Sequence, residues 1–116
     1  METTLYHYKA TITSVYDGDT VTAEVDLGFY VHVTEKLRLT GIDTPELRGS
    51  EREQGLISRD RLRELVLGKE VLIKTEKDKK GKYGRFLATI YLAEGDSFIN
   101  INQLLVNEGL AEWRVY

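Results

Sequence analysis

The chain has 116 residues and a mass of 13.3 kDa, a size typical of one folded domain, so residues 1–116 are expected to form a single domain. It contains no cysteine, which excludes disulfides, zinc–thiolate sites and thiol catalysis. The net charge of −3 argues against a protein that coats nucleic acid stoichiometrically, although residues 76–85 carry five basic side chains against two acidic ones.

No apolar run approaches the ~20 residues of a membrane-spanning helix, so no membrane partner is expected. The first twenty residues alternate between polar and apolar side chains and lack the continuous apolar stretch of a signal peptide. As written, the chain is expected to be cytoplasmic and monomeric. A secreted protein whose leader had been removed would look the same.

The first half of the chain has the pattern of β-strands. Residues 8–15 alternate in side-chain character and are rich in β-branched residues, and Asp17-Gly18-Asp19 is typical of a tight turn leading into a second strand over 20–26. A third strand is expected over 31–41, after a bend centred on Gly28. These three strands are predicted to be consecutive and antiparallel.

Two helices and two further strands are predicted in the second half. Ser50 and Glu53 have capping-box spacing, which predicts a helix running to about Leu67, with Gly68 as its stop. Residues 71–74 and 86–92 are predicted to be strands, followed by a short helix that Asn100 caps and that ends at Gly109.

Three strands, a helix, two strands and a helix give an α+β fold that is mainly β. This order is typical of a five-stranded oligonucleotide-binding (OB) barrel with two helices, the longer one between strands 3 and 4. A fold of this kind does not decide the function, because such barrels serve many roles.

Carboxylates that could hold a cation occur in two motifs. Asp17 and Asp19 are spaced as a hairpin turn would require, but they could also form one corner of a calcium site. Asp43 and Thr44 follow a predicted strand and could add a carboxylate and a backbone carbonyl. These donors are fewer than the 6–8 that calcium prefers, so waters and a substrate phosphate would have to complete the shell.

The same motifs contain side chains suited to phosphodiester cleavage. Glu46, three residues after Asp43, is either a solvated surface residue or a base that takes a proton from water. Arg38 and Arg85 are each compatible with an ordinary surface ion pair, but together they could hold phosphate oxygens with bidentate contacts. Lys82 and Tyr83 suggest a cationic and aromatic platform for a nucleotide, or merely a solvated basic loop.

Three stretches together resemble the signatures of the staphylococcal (micrococcal, thermonuclease) nuclease family. These are Asp-Gly-Asp-Thr-Val at 17–21, Arg-Leu-Thr-Gly-Ile-Asp-Thr-Pro-Glu at 38–46 and Lys-Tyr-Gly-Arg at 82–85. The resemblance implies an OB-fold barrel that hydrolyses DNA and RNA with the aid of Ca²⁺ and leaves 3′-phosphate ends.

The resemblance also assigns roles to individual residues. It implies that Asp19, Asp43 and Thr44 bind calcium and that Asp17 supports these ligands without binding the ion itself. Glu46 would be the general base, and Arg38 and Arg85 would stabilise the pentacoordinate phosphorus. Lys82 and Tyr83 would contact the terminal phosphate of the nucleotide, and Tyr116 is the one C-terminal tyrosine carried over as a substrate-binding residue.

Two other classes of function compete with this interpretation. Catalytically silent barrels of this family act as nucleic-acid- or protein-binding modules, and these typically lose the metal carboxylates or the arginines. Here the expected residue occupies each of the six metal-binding and catalytic positions, namely Asp19, Arg38, Asp43, Thr44, Glu46 and Arg85. A purely structural barrel would leave the co-occurrence of the three motifs unexplained. The sequence therefore favours a metal-dependent nuclease.

Overall fold

A computed structural model of the chain describes residues 5–77 and 86–114. The strands are β1 (His7–Asp17), β2 (Thr20–Asp26), β3 (His32–Leu39), β4 (Ile42–Asp43), β5 (Glu70–Lys77), β6 (Phe86–Glu94), β7 (Ser97–Asn100) and β8 (Glu112–Trp113). The helices are α1 (Arg52–Val66) and α2 (Ile101–Asn107), and a 3₁₀ turn (Gly49–Glu51) precedes α1.

Five strands close into a barrel. The order β3-β2-β1-β5-β6 is antiparallel throughout, and a parallel pairing between β3 and β6 joins the two ends. This confirms the predicted α+β, mainly β, OB-fold with the longer helix between the third and fourth barrel strands. The closing contact pairs Leu37–Leu39 of β3 with Phe86–Ala88 of β6, and β7 extends the sheet from β6.

The barrel is filled by aliphatic side chains that alternate along each strand. Both helices close the core from outside, α1 through Leu62 and Val66 and α2 through Ile101 and Leu105, all fully buried. The fully buried barrel residues are Ile12, Val21, Ala23, Leu39, Ile73, Ala88 and Ile90. No helix within the described ranges is long and apolar enough to cross a membrane.

Two of the predicted helix boundaries are confirmed and one is wrong. Asn100 caps α2 by accepting a hydrogen bond from the Gln103 N–H at 3.0 Å, as expected. Gly68 follows α1 with a φ of 74°, which confirms the predicted stop. The prediction that Ser50 caps α1 was wrong, because Ser50 lies inside the 3₁₀ turn and the helix begins at Arg52 after Glu51.

Three short strands were not predicted. β4 and β8 have two residues each and pair with one another, which brings the end of the described chain against Ile42 and Asp43. β7 forms a hairpin with β6. The pairing of β4 with β8 matters for the site, since it adds a wall beside the carboxylates of the second motif.

Candidate functional site

The turn between β1 and β2 places one carboxylate inside the protein. Gly18 and Asp19 form the two-residue turn, and Asp19 is only 4% exposed. The Asp19 N–H bonds Asp17 Oδ1 at 3.1 Å, and the Thr20 hydroxyl bonds Asp19 Oδ1 at 3.2 Å. Neighbouring residues in the sequence therefore help to orient the turn and one oxygen of the Asp19 carboxylate.

The second motif reaches the same carboxylate from a distant part of the chain. The Thr44 N–H donates to Asp19 Oδ2 at 3.2 Å, across 25 residues of sequence. The Leu39 N–H donates to the Asp19 carbonyl at 2.8 Å. These two bonds attach the turn of the first motif to both sides of β4.

One guanidinium lies between two carboxylates. Arg38 Nη1 is 3.4 Å from Asp19 Oδ2, and Arg38 Nη2 is 3.4 Å from Asp43 Oδ1 and from the Ile42 carbonyl. The Arg38 side chain is 17% exposed, so these contacts are partly shielded from water. Asp19, Arg38, Asp43 and Thr44 thus form one group of contacting residues, which we call the Asp19 cluster.

The pKa of Asp19 is raised to about 6, chiefly by burial. Hydrogen bonding with Asp17 and the negative charge of that residue contribute to the increase, whereas the charge of Arg38 and the bond from the Thr44 N–H oppose it. Desolvation is the largest of these effects, because it penalises the ionised form of a carboxyl held away from water. A cation bound next to Asp19, in addition to Arg38, would favour the ionised form of this carboxyl.

Two glycines allow the backbones around the Asp19 cluster to approach closely. A Cβ built on Gly18 would lie 2.8 Å from Ser58 Cβ and 2.9 Å from Thr44 Cγ2. A Cβ built on Gly55 of α1 would lie 2.8 Å from the Pro45 carbonyl oxygen and closer still to that of Glu46. Larger side chains at either position would push helix α1 away from the second motif.

Glu46 lies beside the Asp19 cluster in sequence but is not part of it. Its side chain is 63% exposed, and its Oε2 is 3.3 Å from Arg48 Nε. Among the described residues, the Arg48 guanidinium is the group that contacts the Glu46 carboxylate. Glu46, the predicted base, is thus a solvated side chain two residues after Thr44 in the sequence.

Four of the predicted site residues, Lys82, Tyr83, Arg85 and Tyr116, lie outside the described residues. Phe86, which directly follows Arg85 in sequence, pairs with Leu37 of β3, and Leu37 directly precedes Arg38. The described chain therefore brings the residue after Arg85 to the strand that carries Arg38.

Arg114 is a member of the site that the sequence analysis missed. Its Nη1 donates to Asp43 Oδ2 at 2.7 Å, and its backbone N–H donates to the Gly41 carbonyl at 2.7 Å. Asp43 therefore lies between Arg38 and Arg114. No local pattern could have indicated this contact, because it depends on the pairing of β8 with β4.

The cluster supplies oxygen donors of the kind that calcium and magnesium prefer, namely the carboxylates of Asp19 and Asp43 and the carbonyl of Thr44. Within residues 5–77 and 86–114, no three Asp, Glu, His or Cys side chains converge on one point. The donor chemistry thus fits a hard cation that takes most of its ligands from water or a phosphate. Beside Asp43 and Thr44, a cleft of about 170 Å³ opens toward α1 and residues 109–112.

Comparison with known proteins gives consistent relatives. The family model described as "Staphylococcal nuclease homologue" matches residues 36–116. An uncharacterised protein of Methanocaldococcus jannaschii is 32% identical over 131 residues, which cover 95% of this chain and 60% of that protein. The thermonucleases of Staphylococcus intermedius and Staphylococcus hyicus are 31% and 30% identical over 105 residues, covering 88% of this chain and 57% of each enzyme. The chain thus spans less than two thirds of the length of these relatives.

Proposed function

This chain belongs to the family of staphylococcal nuclease homologues, and from that premise we propose that it is a metal-dependent nuclease. The reaction proposed is hydrolysis of phosphodiester bonds in DNA, RNA or both, with calcium as cofactor and 3′-phosphate ends as products. The observation that carries the proposal is the convergence of the Asp19 and Asp43 carboxylates on the Arg38 guanidinium, with the Thr44 N–H bonded to Asp19.

The proposed cation site consists of Asp19, Asp43 and the Thr44 carbonyl, with Asp17 orienting Asp19 through the Asp19 N–H. When bound there, calcium would supply a positive charge that stabilises negative oxygens on the phosphate. Two carboxylates and one carbonyl bind such an ion weakly by themselves, because most coordination positions are left to water and substrate. We therefore expect calcium and nucleic acid to bind more tightly together than either does alone.

In the proposed reaction a water molecule attacks phosphorus, its proton passes to Glu46, and the bond from phosphorus to the 5′-oxygen breaks. The leaving oxygen takes up a proton to become a 5′-hydroxyl. Glu46 suits the role of base because its exposed carboxylate, among the residues that the structure describes, is held by a solvent-facing pair with Arg48 and can move. Arg38, which a bound cation would replace as the partner of Asp19 and Asp43, and Arg85 are proposed to donate hydrogen bonds to the phosphate oxygens as negative charge develops.

The test is cleavage of labelled single- and double-stranded DNA and RNA, with calcium, with magnesium and with chelator. Glu46→Gln is expected to lower turnover ~10²–10⁴-fold, since it removes a proton acceptor and keeps the shape of the side chain. Arg85→Ala is expected to lower turnover ~10²–10³-fold. Glu53→Gln, an exposed substitution on α1, is the matched control and should cleave like the wild type.

Cleavage that persists in excess chelator would contradict the proposed cation site. Turnover like that of the wild type in Glu46→Gln would remove Glu46 from the mechanism. A wild-type protein that binds oligonucleotides in calcium but never cleaves them would favour the competing function, a non-catalytic nucleic-acid-binding module.

A further inference from the structure

A β-bulge lies next to the Asp19 cluster. Val15 pairs with Val21 and Asp17 pairs with Thr20, so β1 advances by two residues where β2 advances by one. Tyr16 is the extra residue, and its side chain is 65% exposed. A bulge bends the strand and redirects the side chain that has no partner opposite it. Here it turns an aromatic ring outward two residues before the Gly18-Asp19 turn.

The bulge is held by helix α1. Arg63 donates two hydrogen bonds to the Val15 carbonyl, from Nε at 3.3 Å and from Nη2 at 3.1 Å. Arg63 is 48 residues away in sequence. The direction of the Tyr16 ring therefore depends on a tertiary contact of the folded chain.

A cation lies over the exposed ring. Lys36 Nζ is 5.5 Å from the centroid of the Tyr16 ring, within the range of a cation–π contact. Lys36 and Arg38 are two residues apart on β3, so their side chains leave the same face of the strand, about 6.6 Å apart along it. The Tyr16 ring, the Lys36 ammonium and the Arg38 guanidinium thus follow one another on the outside of the barrel.

Resting on the nuclease function proposed above, we propose that Tyr16 and Lys36 form a binding subsite for the nucleotide next to the phosphate that is cleaved, in a single-stranded substrate. The base stacks on the Tyr16 ring, and the Lys36 ammonium pairs with the neighbouring phosphate. Stacking of a base on an aromatic side chain tolerates any base sequence and requires the base to be unpaired. The subsite therefore selects single strands over duplexes.

Its position, rather than its exposure alone, distinguishes Tyr16 from the other exposed aromatic residues. Phe29 and Tyr30 are even more exposed, at 97% and 101%, but they lie in the turn between β2 and β3. That turn is at the opposite end of β2 from Thr20, about 20 Å away at the rise of an extended strand. Tyr30 consequently offers a control residue with the same side chain, remote from the Asp19 cluster.

The experiment measures cleavage of one sequence as a single strand and as a duplex by the wild type, Tyr16→Ala, Tyr16→Trp and Tyr30→Ala. Tyr16→Ala should raise KM for the single strand about 5- to 100-fold, the effect of losing one base–aromatic stack, with little change in kcat. The KM for the duplex should change less than twofold. Tyr16→Trp should restore the wild-type KM, and Tyr30→Ala should match the wild type.

Lys36→Ala tests the phosphate contact separately. It should weaken binding to the single strand and reduce the slope of log affinity against log salt by about 0.7, as expected for the loss of one phosphate contact. An unchanged salt slope would overturn the role of Lys36. An unchanged KM for the single strand in Tyr16→Ala, with an unchanged urea midpoint, would overturn the stacking role of Tyr16.

Failure of the subsite and failure of the nuclease function are distinguishable. If the wild type cleaves no substrate, the proposed function fails, and the subsite is then judged by binding of a fluorescein-labelled single-stranded oligonucleotide in chelator. Binding by Tyr16→Ala that is 5- to 100-fold weaker than that of the wild type would support the subsite. Equal binding by the two proteins would refute it.

Discussion

Replacement of Gly55 by alanine adds one methyl group, which should have two opposing effects on the free energy of unfolding. Gly55 is buried in the first half of α1 and faces the backbone of Pro45 and Glu46. By helix propensity alone, alanine should stabilise the protein by ~0.8–1 kcal/mol, because glycine loses more backbone entropy on folding. By packing, alanine should destabilise it, since the new Cβ would fall 2.8 Å from the Pro45 carbonyl oxygen.

The packing effect should be the larger one. An ordinary van der Waals contact is 3.4–4 Å, so the overlap with the Pro45 oxygen and the larger overlap with the Glu46 oxygen must be relieved by moving backbone rather than a flexible side chain. Overpacking of a well-packed interior costs typically ~1–3 kcal/mol. After subtraction of the propensity gain, Gly55→Ala should lower the free energy of unfolding by up to about 2 kcal/mol. A loss of that size corresponds to a decrease in Tm of up to roughly 10 °C.

The assay combines urea unfolding with cleavage of a single-stranded oligonucleotide. Relief of the overlap moves Pro45 and Glu46 away from α1, so cleavage should fall as well, by ~10²-fold if Glu46 shifts by about 1 Å. Glu53→Ala, an exposed change in the first turn of the same helix, is the control and should keep full activity. A Gly55→Ala protein that is about 1 kcal/mol more stable than the wild type, with unchanged turnover, would refute the close approach of α1 to the second motif.

Three further variants test other parts of the structure. Asn102→Ala should cost ~2–4 kcal/mol in a urea titration, because the buried amide bonds the Ile90 N–H and the Thr40 carbonyl; a loss below about 1 kcal/mol would contradict this. Arg114→Ala should bind calcium several-fold more tightly by calorimetry, because a cation that competes for Asp43 is removed; weaker binding would mean that Arg114 orients the carboxylate. Arg61 lowers the pKa of Glu108, so their ion pair stabilises the fold above about pH 4.5 and is lost as the pH falls through the lowered pKa. Glu108→Gln should therefore lower the urea midpoint slightly at pH 7 and not at pH 2, and equal losses at both would exclude the ion pair.

The barrel was predictable because its first strand has a clear period-2 pattern, which distinguishes it from helix, and because each of its five strands is seven residues or longer. The short strands β4 and β8 carry no such pattern, since two residues have no period. They exist because their backbones find partners across the fold. The capping error at Ser50 has a similar origin, because the spacing to Glu53 was correct but a 3₁₀ turn takes up the residues before α1.

The contacts within the Asp19 cluster could be anticipated from the sequence only through the resemblance to a nuclease family. Residue spacing alone favoured a hairpin turn for Asp17 and Asp19, with a calcium site as the alternative, and the structure contains that turn. Arg114 could not be anticipated, because it reaches Asp43 across 71 residues. The bulge at Tyr16 was equally hidden, because simple alternation along β1 predicts a regular strand.

The glycines explain why side chains so far apart in sequence can share one cluster. Gly18 brings the first turn within contact of Thr44 and Ser58, and Gly55 brings helix α1 within contact of Pro45. Ser58 Cβ and the main-chain oxygens of Pro45 and Glu46 cannot adjust by changing rotamer, whereas the Thr44 side chain can. The positions of Asp19 and Thr44 are therefore set by how closely three backbone segments approach. Consequently, Thr44→Ala, which removes Cγ2 and Oγ1, should rescue Gly18→Ala in part, whereas no side-chain change can rescue Gly55→Ala, whose nearest neighbours are main-chain atoms.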